Sequence, residues 1–153
     1  MNYIEAPSEY LGNSRAVFLA GGIAGAENWQ TVMVELLENI DATVLNPRRE
    51  DFPMGDAAEG ERQIEWEHRH LERADLVAFW FPPQTLCPIT LFELGTCCSS
   101  GVPLVVGTEP DYVRRFDVAV QLRLRRPEVK VVDTLDDLAR AVREHSTMQG
   151  AGQ

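Results

Sequence analysis

The stretch RAVFLAGG, at residues 15–22, decides the fold of this 153-residue chain. Its apolar residues follow one another without a polar interruption and end at two glycines, which predicts a short buried strand and then a tight turn. Further apolar runs of this kind occur at 42–45, 75–81, 103–107 and 129–132. Apolar residues at helical spacing lie between the runs, as at 28–40, 61–73 and 89–100. Strands and helices therefore alternate along the chain.

Strands that are apolar on both faces must be covered on both faces, which is typical of a parallel sheet between two layers of helices. We therefore expect a single α/β domain with a flavodoxin-like, doubly wound, five-stranded parallel sheet. The predicted divisions are a flexible N-terminal arm at 1–14, the folded domain at 15–146 and a disordered tail at 147–153. Ligands of such folds bind beyond the carboxyl ends of the strands, which here are followed by loops at 21–28, 46–60, 81–93 and 107–111.

The composition excludes several classes of function. Fourteen Lys and Arg against 24 Asp and Glu give a net charge of −10, which argues against binding to a nucleic-acid polymer, because that binding needs cations that replace phosphate counterions. No apolar run approaches the roughly 20 residues that span a bilayer, and residues 1–14 lack the apolar centre of a signal peptide. The three cysteines include an adjacent pair and no CxxC motif, which favours a reduced cytoplasm and argues against a zinc site.

Glu67 stands where the helical pattern of 61–73 expects an apolar residue. The predicted inward stripe has steps of three and four and consists of Ile64, Glu67, Leu71 and Ala74. A carboxylate in that stripe forms a salt bridge, extends to solvent, or lines a cleft at the edge of the sheet, where burial would raise its pKa. A salt bridge would need a nearby arginine, such as Arg48, Arg62 or Arg73.

Glu93 is a second carboxylate in an apolar context, within ITLFELG at 89–95. Thr90 and Glu93 have the spacing of a capping box, which would make Glu93 a cap of its own helix. Alternatively, Glu93 lies in the first turn of a helix that begins at the carboxyl edge of the sheet, where the helix dipole favours its anion and the carboxylate is a candidate nucleophile. Two carboxylates in one cleft, one ionised and one with a raised pKa, are typical of glycosyl chemistry and require no metal or organic cofactor.

The loops at the expected ligand edge supply further candidates. The glycine-rich segment GGIAGAEN at 21–28 lacks the spacing of a dinucleotide or Walker motif, so its glycines either make a tight turn or let the backbone approach a ligand. Asn46, Arg48 and Arg49 follow the second strand and would contact a phosphate or a base, or remain surface charge. Aromatic side chains near strand ends, including Phe81, either stack on a base or belong to the core.

Five segments of the chain carry a family resemblance when they are taken together. They are VFLAGGI at 17–23, NPRR at 46–49, QIEWE at 63–67 with Asp75 eight residues later, FWFP at 79–82, and ITLFELG at 89–95. This combination resembles the nucleoside 2-deoxyribosyltransferase-like proteins over about residues 15–107. The resemblance implies that Glu93 attacks C1′ of the sugar and forms a covalent deoxyribosyl-enzyme. It also implies that Glu67 is the second carboxylate, at a position where the family usually has Asp.

The resemblance includes two related activities, since transferases pass the sugar to a second base and the related 2′-deoxynucleoside 5′-phosphate N-hydrolases pass it to water. In the transferases a Tyr in the first strand orients the nucleophile, and an Asp six residues before the nucleophile binds the 5′-hydroxyl. This chain has Phe18 and Cys87 at those positions, with Thr85 and Thr90 near Cys87 in the sequence. These departures slightly favour hydrolysis and permit a 5′-nucleotide substrate. Family members are commonly homodimers or larger, so a homodimer or higher homo-oligomer is expected.

We therefore expect a cytoplasmic enzyme that cleaves or transfers the N-glycosidic bond of a small-molecule (2′-deoxy)nucleoside or nucleoside 5′-monophosphate. The catalytic residues are predicted to be Glu93 and Glu67. The predicted substrate-binding residues are Gly21, Gly22, Ile23, Asn46, Arg48, Phe81, Cys87 and Thr90. The alternative is a nucleotide-binding module without turnover, which Phe18 and Glu67 would favour.

Overall fold

The computed structural model describes residues 1–150, with side chains described as far as residue 147. The strands are β1 (Asn2–Glu5), β2 (Ala16–Gly21), β3 (Thr43–Asn46), β4 (Leu76–Phe81), β5 (Leu104–Thr108) and β6 (Val131–Val132). The helices are α1 (Trp29–Leu36), α2 (Ala57–Arg73), α3 (Pro88–Ser100), α4 (Arg115–Arg125) and α5 (Leu135–Gly150). All the strands pair in parallel, in the order β1-β3-β2-β4-β5-β6. The predicted α/β class is confirmed, and the parallel sheet is consistent with a flavodoxin-like fold.

The prediction of five strands is wrong, because the sheet has six. The additional strand is β1, which pairs with β3 from Asn2 opposite Thr43 to Glu5 opposite Asn46. It lies within the segment predicted as a flexible arm. That segment also packs onto α2, where the Trp66 indole donates to the Ser8 carbonyl at 2.8 Å. At the other end of the chain, α5 continues to Gly150 and so includes residues 147–150 of the predicted disordered tail, whereas residues 151–153 lie outside the described part.

The continuous apolar runs are explained by burial on both faces of the sheet. On one face, Phe18 and Phe79 pack in a core with Trp66 of α2, and α3 and α4 complete this layer. On the other face, Val17 and Leu19 pack in a second core with α1 and α5. Side chains from neighbouring positions of β2 thus enter opposite cores, as the pleat of a strand requires.

The topology places a crevice between β2 and β4. From β2 the chain crosses through α1 to β3 on one side, and then through α2 to β4 on the other side. Such a change of direction leaves an opening at the carboxyl ends of the two central strands, where ligands of doubly wound folds bind. The loops after Gly21 and after Phe81 border this opening, and α2 and α3 flank it.

Candidate active site

A cavity of about 300 Å³ lies at the carboxyl ends of β2 and β4. Most of the predicted site residues meet in its lining, namely Gly21, Gly22, Ile23, Glu67, Cys87, Thr90 and Glu93. The sequence had not singled out some of the other lining residues, including Ala20, Pro47 and Ile89. A larger cavity of about 470 Å³ lies beside β6 and α5, but acidic side chains there, such as Asp137, pair with arginines. The smaller cavity, in contrast, contains two carboxyl groups, those of Glu67 and Glu93, that form no ion pair with a lysine or arginine in the described part of the chain.

The two glycines after β2 allow the walls of the cavity to approach each other closely. A Cβ atom on Gly21 would lie 2.5 Å from the carbonyl oxygen of Trp80, and one on Gly22 would lie 2.6 Å from Cγ2 of Thr85 and 2.9 Å from Sγ of Cys87. Real Cβ atoms do not come so close to other atoms, so neither position has room for a side chain. The glycine-rich loop is thus packed tightly against the strand and loop that follow α2, and it forms the floor of the cavity.

Helix α3 begins three residues earlier than the capping-box interpretation requires, because its N-cap is Cys87 and not Thr90. Cys87 precedes the helix with a left-handed backbone (φ 50°), and Pro88 occupies the first helical turn. Thr90 is therefore already inside the helix and cannot be its N-cap, so the capping-box interpretation of Glu93 is wrong. Glu93 lies in the second turn rather than the first, from where it faces the cavity.

Glu93 is a carboxyl group in an environment that opposes its charge. Burial raises its pKa to about 8, and the nearby charge of Glu67 acts in the same direction. Within the part of the chain that the structure describes, no cation or hydrogen-bond donor offsets these effects at Glu93. Both carboxyl groups therefore have raised pKa values, whereas the sequence predicted a raised pKa for one of the two.

Glu67 is held by a hydrogen bond and not by a salt bridge. Burial raises its pKa, and a hydrogen bond from Gln63 Nε2 to Glu67 Oε1, at 2.9 Å, opposes this rise. The arginines considered as partners are engaged elsewhere: Arg62 with Glu59, Arg73 with the carbonyls of residues 10 and 12, and Arg48 with those of residues 26 and 27. The interpretation of Glu67 as a residue lining the cleft is the one that agrees with these contacts.

The predicted inward stripe of α2 is wrong at Ile64, whereas Leu71 and Ala74 pack in the core as predicted. Ile64 is 67% exposed, whereas Trp66 and His70 are buried. Trp66 stacks on the His70 ring at 4.0 Å, and the backbone N–H of Tyr10 donates to His70 Nε2. The inner face is thus built from an aromatic pair that also holds the N-terminal segment, and Glu67 lies at its margin beside the cavity.

Three predicted substrate-binding residues lie outside the cavity lining. Phe81 is fully buried and packs against the Tyr112 ring at 5.2 Å. Asn46 donates to the Tyr3 hydroxyl and accepts from the backbone of Arg48. The Arg48 guanidinium donates to the carbonyls of residues 26 and 27, at 3.1 and 2.8 Å. These side chains shape and brace the loops around the site.

Comparison with known protein families identifies the chain. The family model described as nucleoside 2-deoxyribosyltransferase like matches residues 14–112, which include every lining residue of the cavity. The chain belongs to this family. The resemblance predicted over residues 15–107 is confirmed, and the family indicates a nucleoside deoxyribosyltransferase-like enzyme that acts in glycosyl transfer on a small-molecule nucleoside. No curated protein sequence gives a significant match.

The described residues show neither a membrane-spanning helix nor a metal-ligand cluster, and the charged groups of the cavity are acidic. Across residues 1–150, no helix has the length and apolarity needed to cross a membrane. The same residues contain no group of three or more His, Cys, Asp or Glu side chains suited to a metal ion. The cavity itself is lined by no lysine or arginine. Its reactive groups are two carboxyl groups with raised pKa values and the thiol of Cys87, whose pKa burial raises to about 11.

Proposed function

We propose that this enzyme breaks the N-glycosidic bond of a 2′-deoxynucleoside through a covalent intermediate on Glu93. The observation that carries the proposal is that Glu67 and Glu93, from separate helices, interact within one cavity of the family-matched region. Paired carboxyl groups are the usual equipment for substitution at an anomeric carbon. The size of the cavity, about 300 Å³, is at the lower end of the range for small-molecule sites.

In the first step, a carboxylate oxygen of Glu93 forms a bond to C1′ while the bond from C1′ to the base nitrogen breaks. The base leaves with the electron pair of that bond and takes up a proton from the solvent. In the second step, water or a second base attacks C1′ and releases its proton to the solvent, the glutamyl–C1′ bond breaks with its electron pair going to the glutamyl oxygen, and the Glu93 carboxylate is regenerated. Glu67 positions a sugar hydroxyl or the attacking water. Glu93 must be ionised to attack, so the step is favoured as the pH approaches and passes the pKa of about 8.

An uncharged nucleoside fits the cavity better than a nucleoside 5′-monophosphate. Binding of a phosphate is favoured by arginine, lysine or a helix N-terminus. The first turn of α3, at residues 88–90, lines the cavity and favours an anion, but the lining has two carboxyl groups and no lysine or arginine. Arg49, outside the lining, pairs with Glu59 at 3.1 Å. A phosphate in this cavity would be repelled by either carboxyl group in its ionised form.

Water is proposed as the preferred acceptor. Phe18, in the lining of the cavity, has no hydroxyl to orient the nucleophile, and Cys87 is not an anionic clamp for the 5′-hydroxyl. A sugar that is held less firmly while a second base arrives is exposed to water, which is present at high concentration. The measurement is free deoxyribose formed with and without an added base. Strict dependence on the added base would identify a transferase instead.

A binding module without turnover is the second candidate. The raised pKa of Glu93 favours it, because the protonated carboxyl group that results at neutral pH is a poor nucleophile. Incubation with a panel of nucleosides and 5′-nucleotides at pH 7 and pH 8.5 distinguishes the two. Base release by the wild type, lost in Glu93→Gln and reduced about 100-fold or more in Glu67→Ala, is expected for the enzyme. Binding by calorimetry without release of base would show a binding module.

A homodimer is proposed from the surface beside the cavity. Ile64 of α2 and Ile89 and Phe92 of α3 are 67%, 64% and 75% exposed, and Ile89 also lines the cavity. A second copy covering these side chains would bury apolar surface and close the site. Light scattering of the wild type and of Phe92→Asp tests this, with a monomeric variant expected. A wild type that is monomeric at working concentrations would contradict it.

A further inference from the structure

Gln63 connects two parts of the cavity wall that are distant in the sequence. It lies on α2 one turn before Glu67, so the two side chains share a face of the helix. Its Nε2 group donates to the Pro47 carbonyl at 2.7 Å and to Glu67 Oε1 at 2.9 Å. Both hydrogens of this amide group are therefore used, one on the loop after β3 and one on the carboxylate.

The Pro47 carbonyl is a fixed point because the residues on both sides of it are braced. Asn46 Nδ2 donates to the Tyr3 hydroxyl at 2.8 Å, and Asn46 Oδ1 accepts from the Arg48 backbone at 3.0 Å. The Arg48 side chain in turn donates to Ala26 and Glu27 in the glycine-rich loop. A side chain that is hydrogen-bonded to the Pro47 carbonyl is thereby held in a fixed position relative to the sheet and to the floor of the cavity.

The amide of Gln63 is not explained by stability alone. Its Oε1 atom is buried and has no hydrogen-bond partner among residues 1–150, and a buried acceptor without a donor is destabilising. An apolar side chain of similar length would avoid that penalty, but it would leave the Pro47 carbonyl and the Glu67 carboxylate without this donor. The amide group supplies what an apolar group cannot, namely a directed donor to the Glu67 carboxylate.

We propose that Gln63 is a positioning residue, which holds the Glu67 carboxylate towards the cavity by joining it to the Pro47 carbonyl. This inference rests on the proposed role of Glu67 in base release. Without Gln63, Glu67 would be free to adopt other rotamers and would lose a hydrogen bond that favours its ionised form. Gln63 itself does not touch the reacting atoms, so it acts only through Glu67.

A double-mutant cycle tests this dependence. Gln63→Met keeps the length of the side chain and removes the donor, and Glu61→Met, at an exposed position of the same helix, is the matched control. We expect Gln63→Met to lower kcat about tenfold or more in the wild-type background, which is the usual effect of losing a hydrogen bond to a charged group. In the Glu67→Ala background it should cause no further loss. Equal losses in both backgrounds would overturn the proposal.

A titration of the Glu67 carboxyl group tests the role of Gln63 independently of the proposed function. The carboxyl carbon of Glu67, followed by NMR against pH, should show a higher midpoint in Gln63→Met than in the wild type and in Glu61→Met. Gln63→Asn, whose shorter side chain cannot reach both acceptors, should shift the midpoint in the same direction and serves if Gln63→Met does not fold. An unchanged midpoint overturns the proposal. If instead Glu67→Ala leaves base release intact, the role of Glu67 fails, while the titration still decides whether Gln63 holds it.

Discussion

Glu93, the proposed nucleophile, lies in an environment that opposes its ionisation. Burial and the neighbouring Glu67 raise its pKa to about 8, so kcat/KM for base release is expected to rise with pH and to level off above about pH 8. Below that value it should fall about tenfold per pH unit, because the ionised fraction of a single acid falls in this way. Glu67→Ala removes the repelling charge, so the rise of kcat/KM with pH should occur at lower pH in this variant. A profile that is flat from about pH 5 to 9 would contradict the assignment of Glu93.

Because its pKa is raised, ionisation of Glu93 destabilises the folded state. The unfolded chain ionises this group near its ordinary value of 4.5, whereas the folded protein keeps the proton up to about 8. Because the unfolded state binds fewer protons between these values, a rise in pH through this interval reduces stability, by on the order of a few kcal/mol in total. Glu93→Gln cannot ionise, so it should be more stable than the wild type by this amount at pH 8 and above.

Urea denaturation at a series of pH values measures this effect. Glu93→Gln and the wild type should have similar free energies of unfolding near pH 4.5 and diverge progressively up to about pH 8. Glu61→Gln, at an exposed position, should show no such divergence. A gain in Glu93→Gln that is the same at every pH would mean that titration of Glu93 is not its cause.

The presence of the two carboxylates in the cavity could be predicted from the sequence, whereas the directions of several loop side chains could not. Glu67 and Glu93 are conspicuous because they are charged residues in apolar patterns, and such exceptions have a local signal. Asn46 and Arg48 lie in the expected loop, but their side chains turn to backbone groups and to Tyr3. The direction of a loop side chain depends on contacts that are distant in sequence. Gln63 was missed, although its position four residues before Glu67 is a usable signal.

At the scale of the elements, the turn after β2 contains two glycines, and these differ in how well the structure would tolerate a side chain in their place. A Cβ on Gly21 would lie 2.5 Å from the Trp80 carbonyl oxygen, which belongs to a strand and cannot move away. Gly21→Ala should therefore destabilise the fold by roughly 1–3 kcal/mol, as overpacking usually does. Gly60→Ala is the matched control, because its Cβ meets no atom within 4 Å in α2 and an alanine there should stabilise the helix by about 0.5–1 kcal/mol.

Thermal denaturation of these two variants provides the test. A Gly21→Ala protein with the stability of the wild type would show that the loop has room to move, and the floor of the cavity would then be less rigid than its packing indicates. Gly22→Ala is expected to be milder, since the atoms nearest its Cβ belong to the side chains of Thr85 and Cys87.

The elements that sequence patterns predicted best are the fully buried strands. β2 and β4 have continuous apolar runs with glycine or proline at their ends, and this signal is local and strong. β1 was missed because an edge strand with the sequence NYIE is half exposed and has no apolar run. The inner face of α2 was predicted only in part, because Trp66 and His70 are buried as well as Ala74, and histidine is not a residue type that indicates burial. The two ring nitrogens of His70 form hydrogen bonds with backbone groups of residues 10 and 66.

At the scale of the whole molecule, the order of the elements predicted the position of the site. Alternating strands and helices imply parallel pairing and right-handed crossovers, and these place the ends of β2 and β4 at one edge. Glu67 and Glu93, from helices that begin at that edge, then meet in one cavity. The assembly of copies and the choice of acceptor depend on surfaces and dynamics that strand order does not determine.

In the proposed mechanism, Glu93 becomes covalently attached to the sugar. The most direct measurement is mass spectrometry of the protein after rapid mixing with a 2′-deoxynucleoside at pH 8.5, followed by acid quench and proteolysis. We predict one added deoxyribosyl group on the peptide that contains Glu93, formed together with a burst of free base, and no adduct in Glu93→Gln. Steady release of base without any adduct, or an adduct that persists in Glu93→Gln, would contradict the account.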